Sequence, residues 1–177
     1  MRRLDPTLRA RLRKVVYFLC DVDGVLTDGS VLIGPAGEYK RFDIQDGLGL
    51  VQLRKNGIKV GWISSRTSPA TTSRAGELKI DFLSQTPQKK LTVIESYLRL
   101  EDASWEQVCY TGDDLVDLGP LRRAGVGVAV ANAVAEVKKA AHYVTTARGG
   151  SGAVREVAEL VLKAQGRWGE VLQSYEA

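Results

Sequence analysis

The chain has 177 residues, 44% of them apolar, which is enough for one sizeable core in a single domain over 1–177. Its 25 basic and 21 acidic residues leave a formal charge of +4, too small an excess to call for nucleic acid but compatible with an anionic small-molecule substrate. The longest apolar run, 15–20, is too short to cross a bilayer. The basic N-terminus (Arg2, Arg3, Arg9, Arg11, Arg13, Lys14) lacks the apolar stretch of a signal peptide, and Cys20 and Cys109 form neither a disulfide framework nor a metal motif. A cytoplasmic protein with reduced thiols and no membrane partner is expected.

Asp5-Pro6, followed by Leu8 and Leu12, predicts a capped amphipathic helix whose basic face is solvated. Residues 15–20 read as a buried strand. A β-hairpin over 30–43 follows, turning at Pro35-Ala36-Gly37. Beyond it, apolar strands at 58–63, 81–83, 108–111, 126–129 and 142–144 alternate with helices near 47–56, 70–78, 88–100, 115–124 and 134–140. A last helix over 153–165 carries Val154, Val157, Leu160 and Val161 on one face. Short, continuous apolar strands alternating with helices predict an α/β fold: a Rossmann-like, doubly wound parallel sheet covered on both faces. The hairpin is the sole insertion, a flap too small to be a cap domain.

Asp21-Val22-Asp23-Gly24 directly follows the first strand. Ligands of doubly wound sheets bind beyond the C-terminal strand ends, and two carboxylates there are costly unless a cation or a function compensates. An acidic turn or helix cap is the plainer alternative. Gly112-Asp113-Asp114-Leu115-Val116-Asp117 occupies the same place after strand 108–111. Two acidic strand ends in one sheet suggest a shared hard cation, naturally magnesium, although Asp114 and Asp117 equally suit helix capping. Ile63-Ser64-Ser65-Arg66 offers hydroxyls and N–H groups to an anion, or an ordinary serine cap. Pro87-Gln88-Lys89-Lys90 opens a helix, where a lone lysine is ordinarily solvated.

In this order Asp-x-Asp, Ser, Lys and Gly-Asp-Asp-x-x-Asp resemble the four motifs of haloacid dehalogenase-type phosphatases. The stretch from Asp21 through Val25-Leu26-Thr27-Asp28-Gly29 is similar to a capless branch of that superfamily, the 3-deoxy-D-manno-octulosonate 8-phosphate phosphatases. So are Asp46-Gly47-Leu48-Gly49, Ala129-Val130-Ala131-Asn132-Ala133, Gly149-Gly150-Ser151-Gly152-Ala153-Val154-Arg155-Glu156-Val157 and Leu162-Lys163-Ala164-Gln165-Gly166. The likeness spans about 15–166. One departure is Ser64-Ser65-Arg66 where many members have Thr-Gly-Arg. Serine still supplies a hydroxyl, while Ser65 adds a side chain near the phosphate. The family spacing favours Lys90 over Lys89.

The resemblance implies magnesium-dependent hydrolysis of 3-deoxy-D-manno-octulosonate 8-phosphate through an aspartyl-phosphate. Asp21 is the implied nucleophile. Asp23 protonates the leaving alkoxide and then deprotonates water. Asp21, the Asp23 backbone carbonyl and Asp113 hold Mg2+. Ser64 and Lys90 cradle the phosphate, with Lys90 also keeping Asp21 ionised, and Gly24 and Ser65 touch the substrate. Asp114 orients a water of the magnesium shell and Asp117 supports the turn. Arg66 is a candidate for the sugar-acid carboxylate, or else an ion pair. The family also implies a cytoplasmic homotetramer serving lipopolysaccharide biosynthesis. In it the hairpin and a neighbour's C-terminal tail, bent inward at Gly149-Gly150, close the site. The alternatives are a phosphatase for another nonulosonate 9-phosphate, a receiver domain, and a catalytically idle member. A receiver needs its phospho-acceptor after the third strand, where this chain has only Ser84-Gln85. The intact set of Asp21, Asp23, Lys90 and Asp113 argues against an idle domain. His142 lacks metal-ligand partners, and Trp62, Trp105 and Trp168 read as core or interface residues.

Overall fold

The computed structural model describes residues 5–35 and 37–176. Arg2 and Arg3 of the basic segment, and Ala36 of the predicted hairpin turn, lie outside the described residues. Helix α1 (Pro6–Leu12) forms where its cap predicts. Asp5 accepts the Leu8 N–H at 3.0 Å, Pro6 stands where no N–H is needed, and Leu8 and Leu12 turn inward.

β1 (Tyr17–Cys20) is buried at every residue and pairs in parallel with β4 (Lys59–Ser64) on one side and β6 (Val108–Gly112) on the other. β5 (Phe82–Gln85) extends the sheet beyond β4. β7 (Val126–Ala129) and β8 (Tyr143–Val144) extend it beyond β6, giving the order β5-β4-β1-β6-β7-β8. Inner strands of such a sheet have no solvent face, which explains why their sequences are continuous apolar runs. From β1 the chain builds outward through β4 and β5, then returns to build the other half from β6. The gap between the C-terminal ends of β1 and β6 is therefore the topological switch point.

The covering helices are α2 (Ile44–Lys55), α3 (Pro69–Glu77), α4 (Lys90–Leu100), α5 (Leu118–Arg123), α6 (Ala135–Ala140) and α7 (Ala153–Ala164). α2 starts three residues before its predicted position, because Asp43 caps it by accepting the Gln45 and Asp46 N–H groups at 2.7 and 3.0 Å. That cap also shortens the hairpin to β2 (Leu32–Gly34) and β3 (Gly37–Tyr39). β5 begins after Asp81, whose carboxylate is occupied by the Val60 N–H at 2.9 Å and by Arg54. α2 and α7 pack closely. Gly49 lies against α7, where a Cβ would sit 3.2 Å from both the Ala158 Cβ and the Arg155 Cα.

Two features were not predicted. A short helix, α8 (Trp168–Gln173), follows α7, with the Arg155 and Lys163 cations each 5.3 Å from the Trp168 ring. The Tyr175 hydroxyl then accepts the Gln52 side-chain amide at 2.6 Å, so the described tail folds back on its own chain. Trp62 is fully buried and stacks on Phe42, while Trp105 lies under Arg123. His142 Nδ1 accepts the Gly127 N–H at 2.9 Å, a strand-edge contact. Among the described residues no helix is long and apolar enough to cross a membrane.

Candidate active site

Where β1 ends, the chain makes a tight turn. The Leu26 and Thr27 N–H groups fold back onto the Val22 carbonyl at 2.9 and 3.2 Å, and the Val22 N–H donates to the Asp21 carboxylate at 2.7 Å. Gly24 is obligatory in this turn. Its φ is +91°, and a Cβ would lie 2.0 Å from Asp113 Oδ2. Gly24 is thus buried beneath Asp113.

The turn is braced from below. Asn132 Nδ2 donates to the Gly24 carbonyl at 2.9 Å, and its Oδ1 accepts the Gly149 N–H at 2.6 Å. The Gly150 N–H donates to the Val25 carbonyl at 2.9 Å, and a Cβ on Gly149 would collide with the Gly24 carbonyl at 1.8 Å. The pair is packed under the nucleophile loop because only backbone fits there. Asp46 secures α7 in turn, accepting the Gly152 and Arg155 N–H groups at 3.3 and 2.7 Å.

Carboxylate oxygens of Asp21, Asp113 and Asp117 all lie within 4.8 Å of one another. Lys90 reaches this group from the first turn of α4, where a cation opposes the helix dipole. Two carboxylates outweigh that penalty: Lys90 Nζ is 2.8 Å from Asp21 Oδ2 and 2.8 Å from Asp117 Oδ1. Lys89 is exposed at the cap position and takes no part. Asp117 is fully buried and saturated. It accepts the Tyr110 hydroxyl at 2.6 Å, Lys90, and the Asp113 and Asp114 N–H groups at 2.9 and 3.2 Å. It therefore does more than support a turn, since it anchors Lys90. Its demand for backbone donors also explains why residues 115–117 form a 3-10 turn ahead of α5.

Burial, and next the Asp117 charge, push the Asp21 carboxyl up to about 6 against the opposing pull of Lys90. Burial, with Asp21 and Asp117, raises Asp113 to about 7. Burial works against the Lys90 ammonium, but Asp21 and Asp117 more than offset it and hold the group charged. Among the described residues Asp113 Oδ1 is buried without a hydrogen-bond partner. An orphaned carboxylate oxygen beside a second carboxylate, with no nitrogen or sulfur donor in the group, fits a small hard divalent cation.

A cleft of 280 Å³ opens above, lined by Asp21, Asp23, Gly29, Ser64, Ser65, Arg66, Lys90, Asp113, Asp114 and Val116. The Ser64 hydroxyl accepts the Arg66 N–H and donates to the Arg66 carbonyl, both at 3.0 Å, which curls the loop after β4. Ser65 and Arg66 are exposed at the mouth, and Asp114 caps the following turn through the Leu115 N–H at 2.7 Å. Sequence reasoning missed three residues here: Tyr110, Lys40 and Glu38. Lys40 Nζ lies 2.6 Å from Asp23 Oδ1, and Glu38 pairs with Arg66. Their one signal is the alternation that puts residues 38 and 40 on one face of an extended segment.

Residues 60–156 match the haloacid dehalogenase-like hydrolases. The chain is also 40% identical over 156 residues to the 3-deoxy-D-manno-octulosonate 8-phosphate phosphatase KdsC of Yersinia pestis, covering 88% of this chain and 83% of that one. The chain belongs to this phosphatase family. The solved Moraxella catarrhalis member, in complex with a magnesium ion, a phosphate ion and a KDO molecule, superposes with a TM-score of 0.93 at 37% identity, covering 95% and 97% of the two chains. The cobalt-bound Haemophilus influenzae member gives 0.85 at 37% identity, covering 88% and 92%. Membership in the haloacid dehalogenase-like hydrolases removes the receiver alternative. It also places the Asp21 turn and the Gly112–Asp117 loop on a fold shared with metal-bound phosphatases.

Proposed function

We propose that this chain hydrolyses 3-deoxy-D-manno-octulosonate 8-phosphate to the free sugar acid and phosphate, with magnesium, by way of a phosphoryl group carried on Asp21. The observation that carries the reading is Lys90 bridging Asp21 and Asp117 beside the orphaned Asp113 oxygen, at the switch point of the sheet. Ionised Asp21 attacks phosphorus, the ester P–O bond breaks, and Asp23 gives its proton to the departing alkoxide. Asp23 then takes a proton from the water that cleaves the acyl phosphate, which regenerates Asp21. Asp21, the Asp23 backbone carbonyl and Asp113 would hold magnesium, which would supply positive charge to offset the repulsion between the nucleophile and the phosphate. Lys90 and Ser64 stabilise charge on the transferring group.

Arg66, exposed at the mouth, retains donors for the substrate carboxylate. Ser65 lines the cleft where the family commonly has glycine and bears on substrate choice. We read the chain as one cytoplasmic domain that assembles as a homotetramer. The hairpin supports the assembly, since Val31, Leu32 and Ile33 expose 46%, 65% and 80% of their surface in the single chain.

The test is phosphate release by purified protein with magnesium. It compares 3-deoxy-D-manno-octulosonate 8-phosphate with 9-phosphorylated nonulosonates and simple sugar phosphates. Preference for the octulosonate ester, abolished by a chelator, is the expected result. Preference for a 9-phosphate keeps the chemistry and changes the substrate, and release from none of them overturns the reading.

A further inference from the structure

The hairpin is largely exposed, yet it buries a lysine side chain. The Lys40 side chain is 1% exposed, and stripping an ammonium of water is unfavourable unless charged partners replace the water. Its partners are Asp23 Oδ1 at 2.6 Å and Glu38 Oε1 at 3.6 Å. The other Glu38 oxygen pairs with Arg66. Four ionisable residues, acidic and basic in turn, Asp23, Lys40, Glu38 and Arg66, therefore cross the cleft mouth from the loop after β1 to the loop after β4. Two three-residue strands cannot hold a hairpin in place by themselves. These charge pairs seat it on the site.

We propose that Lys40 is a positioning residue for Asp23, and that Glu38 couples it to Arg66 so that the hairpin registers the acid group of the substrate. The proposal rests on the reading that Asp23 carries the proton and that the substrate is a phosphorylated sugar acid. A carboxylate arriving at Arg66 competes with Glu38 for the guanidinium. Released from Arg66, Glu38 turns to Lys40, and the position of Lys40 sets that of Asp23. A neutral sugar phosphate leaves the Glu38–Arg66 pair untouched. Discrimination in favour of the acid then appears in kcat as well as in KM.

Steady-state kinetics of the full chain with magnesium test this, using a sugar-acid phosphate and a neutral hexose phosphate. Lys40→Met keeps the stem and removes the charge. It is expected to lower kcat on the acid by roughly 10- to 100-fold while KM stays within about twofold, and Lys40→Arg should recover most of the loss. Glu38→Gln frees Arg66. It should lower kcat on the acid without raising KM, and by a clearly larger factor than it lowers kcat on the neutral ester. Thermal melting of each variant separates misplacement from unfolding. Wild-type kcat in Lys40→Met overturns the proposal while the proposed function stands. So does an equal loss on both substrates in Glu38→Gln. A wild-type protein inactive on every ester overturns both.

Discussion

At the rim of the sheet Lys90 contacts two carboxylates with its side chain 2% exposed, and those of Asp21 and Asp117 are 9% and 0% exposed. On the hairpin, Glu38 meets an Arg66 whose side chain is 46% exposed. The two arrangements use the same chemistry in different dielectrics. A buried charge that loses its partner has no water to turn to, so the rim group is fixed and its parts stand or fall together. A guanidinium half open to solvent exchanges its partner at little cost. The rim is built to hold a reacting group still, and the hairpin to let go of one partner and take another.

The sharpest test of the rim is removal of its nucleophile. Asp21→Asn should abolish phosphate release, by a factor on the order of 10⁴ or more, in an assay of initial rates. Rates near wild type in that variant break the mechanism. Next in size, Lys90→Met leaves Asp21 and Asp117 buried together without a cation. It should lower unfolding free energy by roughly 3–5 kcal/mol in urea titration, and adding Asp117→Asn should recover part of that. A marginal effect would mean that the rim is no more rigid than the hairpin.

Magnesium titration across pH sharpens the same point. Asp21 near 6 and Asp113 near 7 must both be ionised to bind a cation. Affinity measured by calorimetry should therefore rise as pH climbs through about 6 and then about 7, and flat affinity would contradict the raised carboxyls. Without metal the sign reverses. The folded state holds the Asp113 proton more tightly than the unfolded chain does. The stability this contributes is full below the ordinary value of 3.8 and is lost as pH rises through about 7.

Smaller effects lie away from the rim. Asp46→Ala removes the acceptor for two N–H groups at the start of α7 and should cost about 1–2 kcal/mol in thermal unfolding. On the hairpin, Leu32→Ser should change the unfolding free energy of the isolated chain by no more than about 0.5 kcal/mol, yet move the protein to smaller assemblies in sedimentation. An unchanged assembly would remove the hairpin from the subunit contact.

The legibility of these regions follows from how local their determinants are. Strand β1 was readable because a strand flanked on both sides in a parallel sheet must be apolar throughout, and Asp21 announces itself by ending that run. Asp43 capping α2 is readable in principle but hidden by a β-like stretch before it, so the sequence pattern carries the hairpin to Asp43 where β3 ends at Tyr39. Tyr110 looks like any strand aromatic until Asp117 is found curled back to meet it. Gly24 stands in a substrate-facing motif, yet its reason for being glycine is the Asp113 carboxylate resting on it. Gly149-Gly150 reads as a place where the chain bends, and what demands glycine there is a backbone more than a hundred residues away, bridged by Asn132.

From the sequence alone came the alternation that makes a parallel α/β sheet, the acidic ends of its first and fourth predicted strands, and the family resemblance those residues carry. These follow from periodicity and adjacency, which a linear chain displays directly. Only the tertiary structure decided that Lys90, and not Lys89, enters the rim, that Asp117 anchors it, and that Lys40 and Glu38 join Asp23 to Arg66 across the cleft. Each of those depends on burial and on distances between residues from different elements, and the free energy of a charge is set by what surrounds it in space rather than by what precedes it in the chain.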